Sequence, residues 1–290
     1  MRILMSGAGG ALGRATVPAL VKAGHEVRAL GRGPREGGDS RWFPGERVKD
    51  AVRGCDAVLL LPERRADPAA ARALVAAACG AGVPHLLRVA APATGRERRR
   101  REDAERVVRS SGLGWTLVRH SHLHQSLDLL LRQWAASPVL PVDPSLPWQP
   151  VDAREVASYL TGLLAGEPRR AALAYGGPEV LSTSELVRTW LRARGLRRLC
   201  PRVRYPGKAA AEQRAGWLMV RNAPLGTLGW REWLTAERPN CRTTSPRSTP
   251  RRRPARRTSR SAIRMCGCTA ATRVTSGRPG RSMPFCWGFS

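Results

Sequence analysis

The sequence has no apolar run long enough to cross a membrane. A spanning helix needs about 18–20 consecutive apolar residues, and no stretch of the 290 residues approaches that length. Glycines interrupt the apolar start of the chain after a few residues, which does not fit the continuous hydrophobic segment of a signal peptide. We therefore expect a cytoplasmic protein with no membrane partner.

Lysine and acidic residues are both scarce. Only Lys22, Lys49 and Lys208 are lysines among 50 basic residues, and 22 acidic residues leave a net charge of +28. Such a charge can indicate nucleic-acid binding. The excess of arginine suggests GC-rich coding instead, and residues 236–290 hold 13 arginines against one acid, Glu237. Because blocks of like charge are usually solvated or disordered, we expect no specific nucleic-acid partner.

The cysteines do not form a metal-binding pattern. The seven of them, at positions 55, 79, 200, 241, 266, 268 and 286, make no CxxC pair near histidine. This spacing argues against a zinc site. In a reducing cytoplasm we expect free thiols and no bound metal.

What the sequence does contain, over its first 120 residues, is an alternation of strand and helix patterns. Strands are predicted at 2–6, 25–32, 56–62, 83–91 and 114–120, and helices at 13–24, 67–82 and 96–112. This order is typical of a parallel sheet covered on both faces. We therefore predict a Rossmann-type, doubly wound α/β core spanning residues 1–120.

The pattern changes twice after that core. Residues 121–235 hold two amphipathic helices, 152–166 and 182–195, with plausible caps at Asp152 and at Ser182 or Ser184, and a strand at 171–177. We predict a small α/β cap lobe over the carboxyl edge of the sheet. Residues 236–290 are rich in Arg, Ser and Pro and have no period. They predict a disordered tail or, as we prefer, a frameshifted translation, which helix-patterned sequence in another reading frame of the DNA would support.

Three glycines follow the first strand at a fixed spacing. In GAGGALG, Gly7 allows a tight turn, Gly10 allows close approach to a pyrophosphate, and Gly13 allows the helix to pack on the strand. Free N–H groups at the helix start, around Ala11 and Leu12, would bind the anion. The placement between strand and helix favours dinucleotide binding over a purely structural turn.

The second strand ends in arginine rather than in an acid. Arg32 lies 19 residues after Gly13, and the next acid is Glu36. An acid at this place favours NAD, whereas arginine accommodates the 2′-phosphate of NADP. We predict NADP(H) in preference to NAD(H), with a solvated surface arginine as the alternative.

Several stretches together resemble the NmrA-like, NAD(P)H-binding group of atypical short-chain dehydrogenases. They are ILMSGAGGALGRATVPALVKAGHEVRALGR, AVRGCDAVLLLP, ARALVAAACGAGVPHLLRVAA, AERVVRSSGLGWTLVRHSHLHQSL and PVDAREVA followed by YGGPEVLSTSEL. The resemblance implies a Rossmann sheet with a C-terminal substrate lobe. It also implies that the Gly7–Gly13 turn, Arg32, Leu61 and Pro62 contact the cofactor.

The sequence departs from that group at the residues that usually perform catalysis. The Tyr-x-x-x-Lys pair, in which lysine lowers the pKa of a proton-donating tyrosine, is absent from RERRRREDAER. Alanine, Ala90 or Ala91, stands where a serine is usual, and only SRWF remains for a third strand. We therefore assign no catalytic residue.

Three histidines alternate in HSHLH after the last core strand. If the segment is extended, His120, His122 and His124 face one way. They could bind a metal, line the substrate pocket or serve only the structure, and we locate no further metal ligand near them. The candidates for lining the substrate are Ala90, His122, His124 and Gln125, whereas Trp148 is expected to pack in the core.

These features predict an NADPH-dependent oxidoreductase that reduces a small quinone or carbonyl compound. The resemblance also includes non-catalytic redox sensors, so the alternative is an NADP(H) redox sensor that acts through a protein partner. A protein partner or a homodimer is possible under either function. A damaged, pseudogene-like product is the third possibility, suggested by the tail and the short third strand.

Overall fold

The computed structural model describes residues 1–31, 40–43, 47–62 and 68–237. Arg32 lies outside these residues, as does residue 238 onward, which includes nearly all of the predicted tail. The strands are β1 (Arg2–Ser6), β2 (Glu26–Leu30), β3 (Ser40–Phe43), β4 (Ala57–Leu60), β5 (His85–Ala90), β6 (Gly114–His120), β7 (His122–Leu123), β8 (Pro147–Trp148), β9 (Pro150–Val151), β10 (Ala172–Tyr175) and β11 (Leu181–Ser182). The helices are α1 (Ala11–Lys22), α2 (Val48–Val52), α3 (Pro68–Gly80), α4 (Gly95–Arg109), α5 (His124–Trp134), α6 (Ala153–Leu164), α7 (Thr183–Arg194), α8 (Lys208–Arg214) and α9 (Trp230–Ala236).

Seven parallel strands form one sheet in the order β10-β6-β5-β4-β1-β2-β3. The chain winds outward from β1 through β2 to β3 and then returns to β4 on the other side of β1. The strand order therefore reverses between β1 and β4, which is where ligands bind in doubly wound sheets. The predicted Rossmann-type fold is confirmed.

Helices cover both faces of this sheet. Ile3 and Met5 of β1 point into a core shared with α1 and α6, whereas Leu4 points into the core under α2, α3 and α4. This alternation is the two-residue period of a strand. All four residues of β4 are buried because each face of the central strand has a helical cover.

The remaining elements lie beyond the carboxyl edge of the sheet. Strand β7 pairs with β9, β8 pairs with β11, and helices α5, α7, α8 and α9 surround these short pairs. Side chains cap two helices as predicted: Asp152 Oδ1 accepts the Arg154 N–H at 2.8 Å, and Ser182 with Glu185 forms a reciprocal capping box on α7.

Three details differ from the sequence prediction. The strand at 172–175 forms as predicted but extends the main sheet beside β6, although we had assigned its segment to the cap. Helix α1 begins at Ala11, two residues earlier than predicted, because the turn closes at Gly10. The histidine segment is extended only as far as Leu123, and α5 begins at His124. No helix among the described residues is long and apolar enough to cross a membrane.

Candidate functional site

The turn after β1 has the geometry of a phosphate-binding loop. Gly7 adopts φ +71°, a region that residues with a side chain rarely occupy. The Gly10 N–H donates to the Gly7 carbonyl oxygen at 3.0 Å, which closes the turn, and Gly10 then caps α1. The glycine at position 7 is therefore required by the backbone itself.

Close contacts, rather than torsion angles, exclude a side chain at Gly13 and leave little room for one at Gly10. A Cβ added at Gly13 would lie 2.3 Å from the Gly7 oxygen and 2.4 Å from the Ala8 oxygen. A Cβ added at Gly10 would lie 3.3 Å from the Gly7 oxygen and 3.9 Å from the Pro62 oxygen. The structure thus brings the glycine turn beside the end of β4, where the family resemblance predicts that Leu61 and Pro62 contact the cofactor.

The start of α1 offers a positive, unobstructed end to an anion. The first-turn N–H groups, those of Ala11, Leu12 and Gly13, have no acceptor within the helix. No acidic residue lies in that turn to compete for them. Arg14 adds a positive charge, and its Nη1 donates to the Gly9 oxygen at 2.8 Å. These residues fit the pyrophosphate of a dinucleotide.

Neither β5 nor α4 carries the tyrosine or lysine that would donate a proton. Ala90 is buried, and α4, which follows it, has neither tyrosine nor lysine. Arginine replaces them: Arg101 Nη1 donates to the Ala91 oxygen at 3.3 Å. The carboxyl edge beside β5 is thus basic and has no phenol.

A buried carboxylate fixes α4 to the sheet, and the sequence did not predict it. Glu105 accepts two hydrogen bonds from Arg119 of β6, from Nε at 3.1 Å and from Nη2 at 2.6 Å. Arg101 and Arg109 lie 3.7 and 3.6 Å from the same carboxylate. The available signal was its spacing, because Glu105 lies one turn before buried Val108 on the inner face of α4.

The three histidines of HSHLH are all buried, each among different neighbours. His120 Nδ1 lies 2.6 Å from the Ser121 oxygen, the His122 ring packs against Trp148, and His124 lies against Trp230 and Trp233. Burial lowers their pKa values to about 4, 3 and 4, so all three are neutral at pH 7. In the described ranges, no group of three or more His, Cys, Asp or Glu side chains could hold a metal ion.

Gln125 and Trp148 have internal partners. The Gln125 amide bridges α5 and α6, since Nε2 donates to Asp152 at 3.2 Å and Oε1 accepts the Ala153 N–H at 3.3 Å. Trp148 is fully buried and donates to Thr183 at 2.8 Å. Core packing of Trp148 is confirmed, whereas lining of the substrate by Ala90, His122, His124 and Gln125 stays a prediction.

Gln149 is a residue that the sequence reasoning missed. Its Nε2 donates to the oxygens of Gly177 and Val220 at 3.0 and 3.3 Å, and its Oε1 accepts the Val220 N–H at 2.7 Å. It therefore joins the ends of β8 and β10 to the loop before α9. No local pattern marks such a residue, because its partners are 28 and 71 positions away.

Comparisons with known proteins agree with this geometry. A family model described as NAD(P)H-binding matches residues 7–128. A protein of Streptomyces griseus, (4-alkanoyl-5-oxo-2,5-dihydrofuran-3-yl)methyl phosphate reductase, is 32% identical over 200 residues, covering 63% of this chain and 70% of its own.

Solved structures show the same fold. An NADPH-dependent quinone oxidoreductase from Escherichia coli, complexed with NADPH, superposes with a TM-score of 0.66 at 15% identity, covering 81% of this chain and 99% of its own. A Bordetella bronchiseptica enzyme in complex with NAD+ superposes with a TM-score of 0.63 at 14% identity, and the match covers 81% of this chain and 96% of that enzyme's chain. The chain belongs to the NmrA-like, NAD(P)H-binding family of atypical short-chain dehydrogenases/reductases.

Proposed function

We propose that this protein is an NADPH-dependent oxidoreductase that reduces a small quinone or carbonyl compound. The observation that carries the proposal is the glycine turn, with Gly10 facing Pro62 across the point where the strand order reverses. The named activities of the Streptomyces reductase and the Escherichia coli quinone oxidoreductase support it.

Each part of the site has a distinct role in this proposal. A bound nicotinamide would supply the hydride. The N-terminus of α1 binds the pyrophosphate, Leu61 and Pro62 form the wall beside it, and Ala90 leaves space at the end of β5. A proton must accompany the hydride. A quinone or a conjugated carbonyl compound fits this site better than an isolated ketone, because its reduction depends less on a proton donor held by the protein.

The preference for NADPH rests on Arg32. Its place after β2 in the sequence suits a partner for the 2′-phosphate, and Arg32→Ala should lower the preference for NADPH over NADH by about tenfold or more. We also propose that residues 1–120 bind the dinucleotide and that residues 121–235 form the substrate lobe, with β10 and α6 of the second region completing the sheet and its helical cover.

One observation favours a second function, that of a non-catalytic NADP(H) sensor acting through a protein partner. Neither Ala90 nor any residue of α4 can serve as the tyrosine or lysine of a typical short-chain dehydrogenase. A sensor would bind the dinucleotide and leave it unoxidised.

The test is an absorbance assay at 340 nm on the full chain. The protein is mixed with NADPH or NADH, and then with benzoquinones, naphthoquinones and alkanoyl-dihydrofuranones. Oxidation of NADPH that depends on both protein and acceptor supports the oxidoreductase. Binding of NADPH without oxidation by any acceptor supports the sensor, and absence of binding contradicts both.

A further inference from the structure

The first half of α4 carries positive charge to the carboxyl edge of the sheet. Arg101 Nη1 lies 3.3 Å from the oxygen of Ala91, the residue immediately after β5. The Arg101 side chain is 15% exposed, so the guanidinium is held at this edge rather than extended into solvent. An arginine fixed in this way has lost most of its side-chain entropy before any ligand arrives.

Arg101 has donors that the described residues do not use. A guanidinium has five N–H groups, and those residues give Arg101 one hydrogen bond, to Ala91. Its Nε is buried and has no hydrogen-bond partner within the described ranges, so a ligand would be bound by the Nη donors. The nearest carboxylate, Glu105, lies 3.7 Å away and already accepts two hydrogen bonds from Arg119.

The surrounding charges leave an excess of arginine. Arg88 of β5 lies on the same face of the sheet, and its buried Nε also has no partner in the described part of the chain. Glu102 is paired with Arg98 at 2.7 Å, and Glu105 is paired with Arg119. Glu105 acts electrostatically on both Arg88 and Arg101, and Glu102 acts on Arg101 as well. Both carboxylates are already hydrogen-bonded to other arginines.

That arrangement penalises the charged form of both arginines. Burial lowers the pKa of Arg101, and the nearby Arg119 lowers it further. Burial also lowers the pKa of Arg88. An anion at this place would offset the penalty, because an opposite charge favours the ionised guanidinium.

Arg98 and Trp217 border the same region. The Arg98 guanidinium lies 4.6 Å from the centre of the Trp217 ring, which is 54% exposed. Glu102, Glu212 and Trp217 all contact Arg98, so Arg98 contributes to the rim. Arg101, with one hydrogen bond and one long ion pair, keeps more donors for a ligand.

We infer that Arg101, with Arg88 behind it, forms an anion subsite beside the end of β5 that binds a phosphate monoester group on the substrate. A planar guanidinium matches a phosphate with two parallel hydrogen bonds. The subsite is separate from the glycine turn, which binds the pyrophosphate of the cofactor. The inference rests on the proposed reductase function and specifies the class of substrate: a small conjugated carbonyl compound carrying phosphate.

The test compares two substrates that differ only in the phosphate. They are the alkanoyl-dihydrofuranone methyl phosphate named for the Streptomyces relative and the same compound with a free hydroxymethyl group. The full chain should reduce the phosphate ester with kcat/KM about tenfold or more above that of the alcohol. Arg101→Gln should remove this difference by lowering kcat/KM for the phosphate ester to the value for the alcohol.

The matched control is Arg106→Gln on the same helix. Arg106 is 74% exposed and pairs with Asp103 at the surface, so this variant should keep the preference for the phosphate ester. Arg101→Lys keeps the positive charge but not the planar guanidinium, so it should retain part of the preference for the phosphate ester. Equal rates for the two substrates, or an equal loss of both in Arg101→Gln, would overturn the inference while leaving the reductase function intact.

Calorimetry distinguishes failure of the anion subsite from failure of the proposed reductase function. If no acceptor is reduced, titration of the phosphate ester into protein with and without NADPH still measures the subsite. Binding that is lost in Arg101→Gln and kept in Arg106→Gln supports the anion subsite without the activity. Failure of wild-type protein to bind the ester contradicts the subsite. The titration is repeated with NADH in place of NADPH. Because NADH leaves the 2′-phosphate region of the cofactor site empty, the comparison shows whether the ester binds there instead of at Arg101.

Discussion

Gly13 is held by backbone contacts that no other residue type could keep. A Cβ at this position would meet the Gly7 oxygen at 2.3 Å and the Ala8 oxygen at 2.4 Å, and neither atom belongs to a flexible side chain. The glycine spacing in the sequence predicted this role, because the third glycine of such a turn lets a helix pack against a strand.

We predict that Gly13→Ala destabilises the chain by about 1–3 kcal/mol and weakens NADPH binding, because the turn must open to admit the methyl group. Urea unfolding and an NADPH titration measure the two effects. The matched control is Gly162→Ala within α6, where a Cβ meets nothing within 4 Å. That variant should be more stable than the wild type by about 0.5–1 kcal/mol, because alanine favours a helix more than glycine does. Equal stability of the two variants would contradict the packing role.

The buried histidines predict loss of stability in acid. Their pKa values are about 4, 3 and 4 in the folded chain, against about 6.5 when unfolded. As the pH falls from 6.5 toward 4, the unfolded chain binds protons that the folded chain does not, so the stability present above pH 6.5 decreases.

His124→Phe tests this linkage at one site, since the ring packs against both Trp230 and Trp233 and an aromatic replacement keeps that packing. Near pH 5 the slope of unfolding free energy against pH should decrease by about 1.4 kcal/mol per pH unit, which is one proton. Urea unfolding between pH 7.5 and 4.5 measures it. An unchanged slope would show that His124 is already protonated in the folded chain.

At the scale of elements, α4 depends on Glu105. The sequence marks α4 as a charged helix, and a charged helix is usually solvated on all sides. Here, Glu105 lies on its inner face and is hydrogen-bonded to Arg119 of β6. The pairing was not predictable from the helix alone, because it joins residues in two elements that only the fold brings together.

We predict that Glu105→Gln destabilises the chain by about 2–3 kcal/mol. This is below the range for a fully buried pair because the Arg119 side chain is 41% exposed. Glu97→Gln on the same helix is the control: Glu97 pairs with Arg100 at 2.8 Å in solvent and should contribute less than about 1 kcal/mol. Thermal unfolding of both variants measures the two losses of stability. Equal losses in Glu105→Gln and Glu97→Gln would contradict the structural role of Glu105.

The elements that the sequence predicted well are those with strong periodicity or clear caps. Strand β6 was predicted at its exact bounds, and α7 was predicted from its cap and apolar stripe. The place of β10 was not predictable, because its four residues have no alternation and pair with a strand more than 50 positions earlier. Helix α5 was not predicted, because histidine is not a typical helix-starting residue and the HSHLH pattern was interpreted as extended through His124.

At the scale of the whole molecule, the sheet and the region after it share one core. Helix α6, which the sequence assigned to the cap, packs on α1 with Val156 and Leu160 fully buried. Helix α9 adds Trp230 and Trp233, both buried against His124. Ordered packing therefore extends to α9, close to the point where the composition of the sequence changes.

We predict that a chain truncated after Glu237 keeps the thermal stability and NADPH affinity of the full chain. In a chain truncated after Gly229, the free energy of unfolding should fall by at least about 3–5 kcal/mol, because Trp230 and Trp233 both leave the core. That figure is the cost of removing one buried tryptophan. Differential scanning fluorimetry with and without NADPH compares the two. Loss of NADPH binding in the chain truncated after Glu237 would contradict the proposed boundary near residue 235.

The most direct test of a dinucleotide site at the glycine turn is calorimetric titration of NADPH into the full chain and into Gly10→Ala. A Cβ at Gly10 projects between the Gly7 and Pro62 oxygens, 3.3 and 3.9 Å away, where the pyrophosphate would approach the backbone. We expect one NADPH per wild-type chain, about tenfold weaker binding in Gly10→Ala, and similar unfolding of both without nucleotide. Equal affinity of the two proteins, or no binding by the wild type, would contradict the account.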